Sequence, residues 1–115
     1  MHKIVLYAIQ GEVSCFVHVM LNALDMHARG WDVRVVVEGQ AIKAVPVVAG
    51  SGHTMRPLFE KARDAGLFAG ACKACASIQR VAEEVEATGL ELIGDMGGHP
   101  AMGEWIERGY TVITM

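Results

Sequence analysis

Five short apolar runs, each separated from the next by a stretch of different period, constrain the fold of this chain more than anything else in it. Lys3–Ile9, Trp31–Val37, Leu67–Ala71, Leu90–Ile93 and Tyr110–Thr114 carry the strand signal, and Lys-Ile-Val-Leu-Tyr-Ala-Ile is apolar almost throughout. Such a run belongs to a strand covered on both faces, as in a parallel sheet. The stretches between them have helical spacing. Helices are predicted over Cys15–Arg29, with Ser14 as N-cap and Gly30 just past the end, and over Gln40–Val45, stopped by Pro46. Thr54 caps a predicted helix from Met55 to Ala65, and Pro57 still lies in its tolerated first turn. Another runs from Cys72 to about Ala87, and a last one from Pro100 at its first position to Arg108. Val47–His53 has no period and reads as a loop.

Strands alternating with helices imply one open sheet, mainly parallel and five-stranded, whose right-handed crossovers place helices on both faces. The expected fold is a three-layer α/β/α sandwich. With 115 residues and no repeat, linker or low-complexity stretch, residues 1–115 form one domain.

Charge and hydropathy then exclude classes of function. The net charge is −3 and the Lys and Arg residues are scattered, which argues against nucleic acid as a partner. No apolar run approaches the roughly 18 residues of a membrane span. Met-His-Lys leads straight into a strand without a leader-like apolar region, so a cytoplasmic location is expected. Hydrophobic residues make up 52% of the chain against 20% charged. On the first helix only a narrow stripe, His18, Asn22, Asp25 and Arg29, is polar, which predicts a subunit contact along that helix.

In a parallel sheet every loop that follows a strand emerges at one edge, and ligands bind there. The expected cluster is Glu12 and Cys15 after the first strand, Glu38 after the second, Cys72 and Cys75 after the third, Asp95 and His99 after the fourth. Cys72-x-x-Cys75 falls where a strand hands over to a helix. Unpaired N–H groups and the positive end of the helix dipole favour thiolate there, and Lys73 adds a cation, so a lowered thiol pKa is expected. A reducing compartment keeps three cysteines as thiols, available for metal binding or redox chemistry. The plain alternative for each is a small buried hydrophobe. Gly94–His99 is rich in glycine but matches neither phosphate-binding fingerprint.

Taken together, Lys3-Ile-Val-Leu-Tyr-Ala-Ile-Gln-Gly, Asn22-Ala-Leu-Asp, Val-Val-Val-Glu38-Gly39, and Gly70-Ala-Cys72 ahead of an alanine-rich helix bearing Arg80 resemble the DsrE/DsrF-like proteins. The resemblance spans essentially the whole chain. It implies a small cytoplasmic α/β/α domain that forms homo-oligomers, commonly trimers or hexamers, and that accepts sulfane sulfur as a persulfide on the cysteine ending the third strand. Cys72 matches that cysteine. Cys75 stands where the family more often has alanine or another small residue, and a thiol there attacks a neighbouring persulfide readily.

The expected function is therefore sulfur relay between a donor and an acceptor protein, without a cofactor. Cys72 is the acceptor, Lys73 and the helix terminus its activators, Cys75 the resolving thiol, and Cys15, Glu12, Glu38 and His99 accessory residues. One alternative is a zinc module in which Cys15, Cys72, Cys75 and His99 make a Cys₃His ligand set. The other is a domain that binds a small ligand or a partner at the same edge without sulfur chemistry.

Overall fold

Val5, Leu6, Tyr7 and Ala8 are all shut off from solvent, because their strand has a neighbour on each side and side chains packed above and below it. The computed structural model describes residues 1–115. β1 (Lys3–Ala8), β2 (Asp32–Val37), β3 (Phe68–Cys72), β4 (Leu92–Ile93) and β5 (Thr111–Thr114) form one sheet in the order β4-β3-β2-β1-β5. Every pairing is parallel. β1 runs in register with β2 from Lys3↔Asp32 to Ala8↔Val37, and with β5 from Ile4↔Thr111 to Tyr7↔Thr114.

The strands' alternation divides the core in two. Ile4, Leu6, Ala8, Val33, Val35 and Val37 face a large cluster that holds Phe16, Val19 and Met20 of α1 (Val13–Ala28), Val45 and Val48 of α2 (Ala44–Val48), and Phe59 and Ala62 of α3 (Arg56–Asp64). Ala76 of α4 (Lys73–Ile78) and Val85 of α5 (Ala82–Ala87) complete it. Val5, Tyr7 and Val36 point to the opposite face, where Trp105 of α6 (Gly103–Glu107) and Tyr110 cover them. This is the three-layer α/β/α arrangement, thick on one side and thin on the other.

Several element boundaries differ from those expected. α1 begins at Val13 with Glu12 in the cap position and no side-chain cap, so Ser14 lies inside the helix. Residues Gly39–Lys43 form a 3-10 turn that runs into α2, and Pro46 sits within α2 instead of stopping it. As the third residue of that helix it lacks an N–H that would have had no intrahelical acceptor anyway. α3 starts after Met55, and His53 Nδ1, not Thr54, accepts the Met55 N–H at 3.1 Å. The helix expected from Cys72 to Ala87 is two helices. Arg80 adopts φ of 59° and breaks the run between Ile78 and Ala82. α6 begins at Gly103, three residues beyond Pro100.

Along α1 the buried residues are Phe16, Val19, Met20 and Ala23. Val17 and Leu21 line an apolar groove with Met55, Pro57 and Leu58. No helix of the chain is long and apolar enough to cross a membrane.

Candidate functional site

Cys72 ends β3 and is also the N-cap of α4; its sulfur accepts the Cys75 N–H at 3.3 Å. The three-residue separation that allows this capping contact brings the second thiol back over the first. Cys75 Sγ in turn accepts the Gly39 N–H at 3.3 Å from the turn after β2. Gly39 has φ of 60°, and a Cβ there would stand 3.3 Å from the Ile9 carbonyl oxygen, so the turn that supplies this donor favours glycine. Gln79, one helical turn beyond Cys75, donates its amide to the Gly39 carbonyl at 2.7 Å and fixes that turn from the other side.

The third side chain arrives from the β4–α6 loop. Met96 and His99 make an antiparallel bridge across Gly97 (φ 60°) and Gly98 (φ 95°), the two positive φ angles of a type I′ turn. Gly98 accepts the Ala74 N–H at 2.8 Å, which ties the turn to the start of α4. His99 Nδ1 consequently lies 3.3 Å from Cys72 Sγ, and the Gly98 carbonyl lies 3.9 Å from the same sulfur. The sulfurs of Cys72 and Cys75 and a ring nitrogen of His99 all fall within 4.8 Å of one another.

These three donors are unequally exposed. Cys72 has 0% of its surface open to solvent and belongs to the large core cluster. Cys75 is half-buried and His99 is partly open on the rim.

The expected lowering of the Cys72 pKa is reversed. Burial, reinforced by the Cys75 thiol and by the negative charge of Glu38, pushes the Cys72 thiol up to about 11, against the pull of the Cys75 N–H. Desolvation of a thiolate outweighs one backbone donor. Lys73 is not among the groups that set this balance. Its side chain is exposed and lines a surface hollow with Glu86, Glu91 and Leu92.

Glu38 is half-buried, and its carboxyl is raised by burial and drawn part-way back by His99. It therefore shares the rim with the imidazole. Tyr7, on the thin side of the sheet, donates its hydroxyl to the Ala101 carbonyl at 3.0 Å. Burial and the charge of Glu38 push its pKa up to about 12.

Of the residues expected at this edge, Cys72, Cys75 and His99 come together, and Glu38 lies within electrostatic reach of His99. Cys15 stands outside the ligand group, half-buried in the first turn of α1, and Glu12 is exposed at the cap position with no side-chain partner. A Cys₃His set is therefore not formed; the donors are two sulfurs and one imidazole, a combination suited to a borderline-soft ion such as zinc. Gly39, Gln79 and Gly98, which hold the three in place, were missed by sequence reasoning. The glycine-rich run Gly94–His99 was the available signal, and it marks a turn that delivers a histidine, not a phosphate cradle.

No protein-family model matches the chain. The chain is similar to the uncharacterized protein MJ0733 of Methanocaldococcus jannaschii, 28% identical over 106 residues that span 92% of this chain and 84% of that one. Its fold is similar to that of the conserved protein of unknown function BT1422 from Bacteroides thetaiotaomicron. The TM-score is 0.70 at 18% identity, over 96% of this chain and 94% of the other, a likeness of fold alone.

Proposed function

We propose that the protein relays sulfane sulfur through its Cys72–Cys75 pair, in the manner implied by its resemblance to the DsrE/DsrF-like proteins, with the two thiols in exchanged roles. The observation that carries this reading is the asymmetry of the pair in exposure: each sulfur accepts a backbone N–H, but one is closed in the core and the other is half-open. Cys75 is then the thiol that meets the donor. Its thiolate attacks the outer sulfur of the donor's persulfide, forming a new S–S bond on Cys75 as the donor's S–S bond breaks and the donor leaves as a thiolate. An acceptor thiolate removes the sulfur by the same exchange, so no net oxidation occurs and no cofactor is required.

Cys72 completes the scheme by remaining a thiol. Attack of a Cys72 thiolate on the inner sulfur of a Cys75 persulfide would expel hydrosulfide and leave a Cys72–Cys75 disulfide, which ends the relay. A sulfur so enclosed stays protonated at neutral pH, and the persulfide outlives its neighbour. The reading carries with it a cytoplasmic setting, donor and acceptor proteins and a homo-oligomer, trimeric or hexameric.

Mass spectrometry after incubation with a persulfide donor tests it. The expected result is a gain of one sulfur mass on Cys75, lost in Cys75→Ser and retained in Cys72→Ala. Loading that survives Cys75→Ser, or no loading of the unaltered chain, overturns it.

A further inference from the structure

We infer that Cys72, Cys75 and His99 bind a divalent zinc-type cation as a Cys₂His site with one open coordination position. The inference goes beyond the relay reading and stands without it, since it requires only the three donors and their geometry. Zinc takes thiolate sulfur at about 2.3 Å and imidazole nitrogen at about 2.0–2.1 Å, so a tetrahedral ion separates such a pair by about 3.5 Å. Cys72 Sγ and His99 Nδ1 are already 3.3 Å apart. Two sulfurs around the same ion stand about 3.8 Å apart, and the three donor atoms here all lie within 4.8 Å of one another.

Both sulfurs also have the backbone support that metal-bound thiolates need. Cys72 Sγ accepts the Cys75 N–H and Cys75 Sγ accepts the Gly39 N–H, each at 3.3 Å. Each sulfur thus accepts a hydrogen bond, as a metal-bound thiolate does. Binding replaces two S–H bonds by two metal–sulfur bonds, and two protons leave to solvent. The +2 of the ion cancels the two thiolates, so the enclosed sulfur carries no uncompensated charge into the core. Three protein ligands from a strand end, a helix turn and a loop would leave one position of a tetrahedral ion without a protein ligand, and an open position distinguishes a reactive zinc site from a structural one.

Because metal and sulfane sulfur would occupy the same Cys75 sulfur, each excludes the other. Zinc(II) titrated into the chelator-treated full chain should bind at one ion per chain with release of two protons. Cobalt(II) in its place should give a thiolate-to-metal charge-transfer band on the unaltered protein, a readout that needs no variant to fold. Cys75→Ser and His99→Ala should each weaken zinc binding by about tenfold or more, whereas Cys15→Ser should not change it. Zinc binding without sulfur loading of the metal-free chain still supports the inference, while sulfur loading without zinc binding overturns it. It is also overturned if Cys75 is alkylated as fast in equimolar zinc as without it, or if Cys15→Ser weakens binding as much as Cys75→Ser.

Discussion

Cys72 and Cys75 are separated by two residues and by a large difference in environment. Alkylation under native conditions should therefore proceed on Cys75 at least about tenfold faster than on Cys72, because burial suppresses the Cys72 thiolate and closes off access to it; peptide mapping of a time course with a small haloacetamide measures it, and equal rates would show that Cys72 is not enclosed. Gln79 acts at one remove, through the Gly39 carbonyl. Gln79→Ala should cost about 1 kcal/mol of stability in urea unfolding, the usual value of one side-chain hydrogen bond, and should change the Cys75 alkylation rate while leaving that of Cys72 unaltered. The positions of the two cysteines and of His99 at one edge were legible in the sequence, because loops that follow parallel strands must emerge together. The direction of the Cys72 pKa was not, since it depends on how completely the core encloses the strand end, and no local spacing encodes that. Cys15 misled for the same reason: its loop reaches the right edge but its side chain does not reach the right sulfurs.

At the scale of elements, the apolar runs located all five strands: double coverage writes β1 and β2 as continuous apolar runs, and short β-forming runs mark β4 and β5 at the sheet edges. Helix ends were less legible. Pro46 carries a stop signal in the sequence, yet a helix that begins at Ala44 places it where its missing N–H costs little. The break at Arg80 had no signal, since a left-handed φ is normally announced by glycine or asparagine. Arg80→Gly should consequently stabilise the protein by up to about 1 kcal/mol through relief of that conformation; a lower unfolding midpoint would mean that the Arg80 side chain contributes more than its backbone costs. Gly70 is the opposite case. A Cβ there would stand 2.5 Å from Ile93 Cδ1 and 2.8 Å from the Glu91 carbonyl oxygen, at φ of 156°. Gly70→Ala should cost about 3 kcal/mol and loosen the β3–β4 pairing that leads to His99, visible as faster hydrogen exchange of the Ala71 amide, which donates to Glu91.

Across the whole molecule, two tyrosine hydroxyls and one thiol are biased toward their neutral forms. Tyr7 is raised from 10.0 to about 12, Cys72 from 9.0 to about 11, and Tyr110, hydrogen-bonded to Asp32, moves in the same direction. A group whose folded pKa exceeds its unfolded value contributes stability that is complete below the unfolded pKa and is lost as pH rises through the folded one. The fold should therefore weaken between about pH 9 and pH 12, with Tyr7 responsible for on the order of 2–3 kcal/mol of the loss. Tyr7→Phe, followed by circular dichroism against pH, should flatten the upper part of that decline, and an unchanged alkaline limb would remove Tyr7 from the account. The double role of Cys72, as a filler of the core and as the cap of α4, has a broader outcome. Closing a bond to Cys75, or coordinating an ion, changes the bonding partner of an atom on which helix and sheet both rest, so the sulfur's chemical history becomes readable in the melting temperature of the entire protein.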